Sequence, residues 1–156
     1  MAAEATPTIK TLPGMRVLSL RSVLPNYRAQ GGLWQQLSTF AKTHDVNVTG
    51  PAFAINYTKD CKQTDVEVEV CFPIADDAQV PQEAHFTVRD VPPVTRAATA
   101  LHVGACDDLP SAYEKFFSWV KAEGLETNGP SREVYLKMPS GCDDPSSVTE
   151  IQQPIS

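Results

Sequence analysis

The stretch GPSREVYLKMP, residues 129–139, reads as a strand after a Gly-Pro break, and it sets Glu133 and Tyr135 two residues apart. That spacing puts a carboxylate and a phenol on one face of a strand. A carboxylate so placed can meet a cation or hold a water as a base, and the phenol beside it can donate a hydrogen bond or offer its ring. Val134, Leu136 and Met138 take the opposite face, so the alternation predicts that they pack on the core while Glu133 and Tyr135 look away from it.

Other chemistries find little support in the residues. The four cysteines, at 61, 71, 106 and 142, form no C-x-x-C pair, and the histidines at 44, 85 and 102 are far apart, so neither a metal nor a cofactor is expected. His102 has no Ser or Cys motif beside it that would suggest a nucleophile system. A net charge of −6 and a pI near 5.0, with Lys and Arg scattered along the chain, argue against direct nucleic-acid binding and suit cationic ligands better. No apolar run approaches the ~20 residues needed to cross a bilayer. The opening MAAEATPTIK lacks the basic start and apolar core of a secretory signal, so a cytoplasmic protein is expected.

The elements that must position these residues come as a repeat. A shift of 79 lays GLWQQLSTFAKTHDVNVTGPAFAIN (32–56) over SAYEKFFSWVKAEGLETNGPSREVY (111–135). Trp34 falls on Tyr113, Phe40 on Trp119, and Gly50-Pro51 on Gly129-Pro130. A shift of 81 then lays EVCFPI (69–74) over EIQQPI (150–155). Each copy contains an extended segment, an amphipathic helix (roughly 32–44 and 109–123), a Gly-Pro turn and two strands. Asp108 before Leu109-Pro110 reads as a helix N-cap and Gly124 as a stop. In TDVEVEVCF, Val66, Val68, Val70 and Phe72 share one strand face, and Glu67, Glu69 and Cys71 share the other.

The expectation is an α+β protein, a tandem strand-helix-strand-strand module whose antiparallel strands carry helices on one side. A ligand cleft is then left on the other side, at a pseudo-twofold seam. Residues 1–14 are expected to be a flexible N-terminus, and 15–156 a single domain made of repeats at about 15–75 and 84–156. In the alignment Glu133 falls on Ala54 and Tyr135 on Asn56, so one copy offers a charge where the other offers room. Glu69 and Glu150 occupy equivalent places in the terminal strands and form a second candidate pair. Trp34, at a helix start, is a candidate for lining the cleft.

The pattern FTVRDVPPVTRAATALHV, followed by YEKFFSWV, the Gly-Pro turn, Glu-x-Tyr, Thr-Glu-Ile and Pro-Ile in that order, closely resembles the GyrI-like small-molecule-binding domain, found in DNA gyrase inhibitory proteins and in effector-binding domains of multidrug-responsive regulators. The resemblance covers about residues 15–155. It implies a cleft for bulky, aromatic and often cationic compounds, with a buried acid at the position of Glu133. The expected function is a stand-alone binder that senses, sequesters or detoxifies such compounds. Glu133, Tyr135, Glu69, Ala54, Asn56, Trp34 and Glu150 are the candidate ligand contacts. The alternative implied by the family is a hydrolase that opens cyclopropane rings of DNA-alkylating natural products, with Glu133 activating water. A further alternative is a modulator of DNA gyrase. With about 14 residues before the first expected strand, there is no room for a helix-turn-helix reader, so regulation would need a protein partner, gyrase or a separate regulator.

Overall fold

The computed structural model describes residues 7–58, 64–83, 85–137 and 143–156. In chain order the elements are β1 (Thr8–Leu12), β2 (Met15–Leu24), α1 (Gln30–Thr43), β3 (Phe53–Asn56), β4 (Val66–Pro73), β5 (Thr87–Val91), β6 (Val94–Val103), α2 (Leu109–Ala122), β7 (Ser131–Lys137) and β8 (Val148–Pro154). Cys61, Met138 and Cys142 lie outside the described residues.

The chain divides into two compact units, Pro13–Pro93 and Val94–Ser156 together with the N-terminal segment through Leu12. In the first unit the strands pair antiparallel in the order β3-β4-β2-β5. In the second they pair antiparallel as β7-β8-β6-β1. Among the described residues each unit carries one α-helix, and this is the α+β duplication that the repeat predicts. Both shifts persist in the bridges that follow each helix: Val48 pairs with Ile74, and Thr127 with Ile155.

β1 departs from the expectation of a loose end, because residues 8–12 form a strand paired along β6. The reason is legible once seen. TIKTLP (8–13) repeats as TVRDVP (87–92), so β1 and β5 are also copies of one another, and each adds to the sheet of the unit other than the one its following strand enters.

Helix packing decides which sheet face is the core. Leu33, Leu37, Phe40 and Ala41 of α1 are buried, and Trp34 meets the Phe72 ring at 5.8 Å. This puts Val66, Val68, Val70 and Phe72 under the helix, as their alternation predicts. In the second unit Leu109, Ala112, Phe116 and Val120 of α2 pack with Ala98, Ile151 and Ile155. Glu133 lies directly opposite Ile151 in the β7–β8 register, so it shares the helix face. The expectation that Val134 and Leu136 face the core is therefore reversed: Leu136 is 51% exposed, while Tyr135 is buried. Ala54 and Asn56 likewise lie on the helix side, opposite Val70 and Val68. Alternation separates two faces without saying which is covered, and in β3 Phe53, Ala54 and Ile55 are all buried, so hydrophobicity gave no guide there.

Both helices end alike. The amides of Gly124 and Leu125 donate to the carbonyls of Lys121 and Val120, a Schellman closure that needs a left-handed residue, and Gly124 supplies it at φ +67°. In the first copy Asp45 takes that place at φ 51°, with the same two bonds from Asp45 and Val46 to Lys42 and Ala41. Asp108 holds the N-cap position of α2 without making a side-chain capping bond. Because a side chain in the left-handed region costs about 1 kcal/mol relative to glycine, Asp45→Gly should stabilise the protein by about 0.5–1 kcal/mol. Gly124→Ala should cost a similar amount. Thermal unfolding should show Tm moving by about 2 °C in opposite directions for the two variants.

Candidate functional site

Glu133 projects from β7 toward α2, where two phenols meet it. Tyr113 of α2 donates to its Oε2 at 2.7 Å, and Tyr135, two residues along its own strand, donates to Oε1 at 3.1 Å. Tyr113 stacks on Phe117, one helical turn on, with ring centroids 6.0 Å apart. His102 of β6 adds its influence from the same face, its ring bonded through Nε2 to the Ala105 carbonyl. Among the described residues, no Lys or Arg forms an ion pair with Glu133. Burial is the largest influence on this carboxyl and raises its pKa; the hydrogen bonds from Tyr113 and Tyr135 and the nearby His102 pull it back without cancelling the shift.

Glu69 lies on the opposite face of its sheet and is satisfied in another way. Arg89 of β5 donates to both oxygens, at 3.0 Å from Nε and 2.6 Å from Nη2. Ser19 and Tyr57 each add a bond of 2.6 Å. Burial disfavours its charged form, but the bonds from Arg89, Ser19 and Tyr57 outweigh it and hold the carboxyl below its usual range. The Tyr57 hydroxyl is pushed up to about 12, first by burial and then by donating to Glu69. The guanidinium of Arg21 sits 3.7 Å over the Tyr57 ring and bonds Glu67 at 2.7 Å.

Glu150, the counterpart of Glu69, pairs with Lys10 of β1 at 2.8 Å and accepts from Gln152 at 2.6 Å. Lys10 and Arg89 are equivalent in the β1 and β5 repeat, so one carboxylate–cation pair recurs in both units. The first copy keeps four donors on its acid, whereas in the second Thr99 stands for Ser19 and Leu136 for Tyr57.

The structure thus brings Glu133 and Tyr135 together and sets Glu69 and Glu150 on the faces away from the helices. Trp34 covers Phe72 in the first unit. Ala54 is buried there, and Asn56 donates to the Tyr27 hydroxyl at 2.8 Å. Sequence reasoning missed Tyr113, Ser19, Tyr57, Arg89 and Lys10. The signal for Tyr113 was its alignment with Trp34, which placed a hydroxyl on the helix face in one copy alone. A shallow groove of about 580 Å³ runs along α1, between Gln36, Phe40, His44 and Phe86; it includes none of the candidate carboxylates. Among the described residues, no helix is long and apolar enough to cross a membrane, and no group of side chains could hold a metal ion.

A carboxylate held by two phenols thus lies under the helix of the second copy in a duplicated α+β module. The chain matches the GyrI-like small molecule binding domain over residues 5–156 and belongs to that family. It is similar to the crystal structure of the EcmrR C-terminal domain, at 25% identity and a TM-score of 0.86, covering 97% of each chain. It is also similar to EcmrR in an EcmrR–DNA complex, at 25% identity and a TM-score of 0.85, covering 97% of this chain and 57% of that one. The chain therefore spans little more than half the length of that relative. SAV2435 bound to tetraphenylphosphonium shares the fold at 12% identity and a TM-score of 0.62, covering 97% of this chain and 94% of that one. No curated protein sequence matches the chain significantly.

The two acids should respond oppositely to pH. Glu133 has a raised folded-state pKa, so its contribution is fully present below the unfolded value and is lost as pH rises through the folded one. Glu133→Gln should then have the higher Tm at neutral pH, with the difference shrinking as the buffer is brought toward about pH 4. Glu69 is depressed, so its contribution is present above the unfolded value and is lost as pH falls through the folded one.

Removing Glu69 strands Ser19 and the partly exposed Arg89, so Glu69→Ala should cost about 2–3 kcal/mol. Glu150→Ala should cost less than about 1 kcal/mol, because Lys10 is half exposed. Urea denaturation of the two variants side by side would expose any departure from that order.

Proposed function

We propose that the chain binds bulky hydrophobic or aromatic organic cations and holds them noncovalently, for sensing or sequestration. Glu133 is the counter-charge, and Tyr113, Tyr135 and Phe117 are the aromatic surfaces beside it. The observation that carries this reading is a carboxylate between helix and sheet whose partners are phenols rather than a Lys or Arg. Two hydrogen bonds lower the cost of its charge without neutralising it, which leaves electrostatic attraction for a ligand to satisfy. Both oxygens already accept a hydroxyl, so an onium ion that needs no hydrogen bond suits the site. Family membership supports small-molecule binding in general, and the phosphonium complex of SAV2435, a protein of the same fold, supports the choice of probe.

Glu69 enters this reading as a scaffold residue, since a ligand would have to break its bonds to Arg89, Ser19 and Tyr57. The raised pKa of Glu133 also suits a general base, which is what hydrolysis of a cyclopropane-bearing alkylator would require.

Titration with tetraphenylphosphonium at neutral pH should give saturable binding that weakens about tenfold or more in Glu133→Gln, or ~1.4 kcal/mol. Equal affinity in the two proteins would sink the role of Glu133. An alkylator incubated in parallel should remain intact; a ring-opened product that disappears with Glu133→Gln would favour the hydrolase instead.

A further inference from the structure

We propose that a proton and the organic cation compete for Glu133, so that each cation bound displaces one proton from its carboxyl to solvent. The inference rests on the reading of Glu133 as the ligand's counter-charge and adds a coupling to it. The surroundings of the carboxyl can be followed element by element. Helix α2 brings Tyr113, β7 brings Tyr135, β6 brings His102, and the register places Ile151 of β8 directly opposite. Two phenols, one imidazole and an aliphatic side chain provide no permanent positive charge.

The hydroxyl contacts serve both protonation states. A phenol donates to a carboxylate, and it accepts when the acid carries its own proton, so one of the two contacts can reverse direction without movement of the backbone. Protonation thus keeps both contacts, the reversed phenol turning its own hydrogen away from the carboxyl, while ionisation leaves a charge in partly desolvated surroundings. An arriving cation changes that balance in favour of the carboxylate. The step balances as the neutral Glu133 acid plus cation giving the Glu133 carboxylate–cation pair plus a proton released to buffer. By linkage, the same coupling makes acid expel the ligand.

The test uses tetraphenylphosphonium, which has no titratable proton, so any proton released comes from the protein. Isothermal calorimetry between about pH 5 and 8 in two buffers of different ionisation heat gives the number of protons released per cation. The expected result is release approaching one on the acid side. There the affinity should rise about tenfold per pH unit and level off once the carboxyl is ionised in the free protein. Release should persist in His102→Gln and vanish in Glu133→Gln. Binding with no proton release at any pH would overturn the competition while leaving the cation-binding reading intact. Loss of release in His102→Gln would overturn the assignment to Glu133. Absence of phosphonium binding would remove both readings. Carbon-13 NMR of the unliganded protein tests the premise separately, because a Glu133 carboxyl titrating in the ordinary glutamate range would also overturn the proposal.

Discussion

Taking a carboxylate out of water costs several kcal/mol unless charge or hydrogen bonds replace its hydration, and Glu69 and Glu133 meet that cost in opposite ways. Glu69 draws in a bidentate guanidinium, a hydroxyl from β2 and a phenol following β3. The network joins β5, β2 and β4 and the residue just beyond β3, so one acid ties together the whole sheet of its unit. Glu133 receives two phenols and no guanidinium. Its burial remains only partly offset, which is why the two carboxyls shift in opposite directions.

Duplication accounts for how the contrast arose on one frame. The positions that surround Glu133 have counterparts under α1: Trp34 for Tyr113, Ala54 for Glu133, Asn56 for Tyr135 and Ser22 for His102. Both copies place the corresponding strand residues on the helix side, so the fold tolerates alanine or glutamate there. What the copies share is the scaffold, down to paired clamps in which Arg16 donates to the Ala75 carbonyl at 2.9 Å and Arg96 to that of Ser156 at 2.7 Å. Shared residues therefore belong to the frame. Those that differ under the helices are where the two copies part in chemistry.

Much of this was legible in the residues, and what was not has physical reasons. Helical periodicity and the recurring Gly-Pro and Pro-Ile placed both helices and the strands after them, since these signals are local. β1 escaped notice because the repeat was anchored on the helices, although T-I-K-x-L-P and T-V-R-x-V-P stand 79 residues apart in plain view. The orientation of β7 was misread because an alternating strand defines two faces and only a packed partner says which is inside. The Glu69 network had no sequence signature at all, since Ser19, Tyr57 and Arg89 come from three separate segments that meet through strand pairing.

The choice of phenols over an arginine beside Glu133 also bears on stability. A guanidinium would lower the carboxyl's energy in the folded state, as Arg89 does for Glu69, but under the proposed reading it would occupy the place of the cationic ligand. Hydroxyl donors at 2.7 and 3.1 Å fix the direction of the carboxylate and limit its desolvation cost while leaving its net charge in place. The residual cost falls on the folded protein when the site is empty and charged. Ala54, in the equivalent place, shows that the module can do without such a charge. Glu133 thus burdens its own fold, in a module that accommodates alanine at the same position.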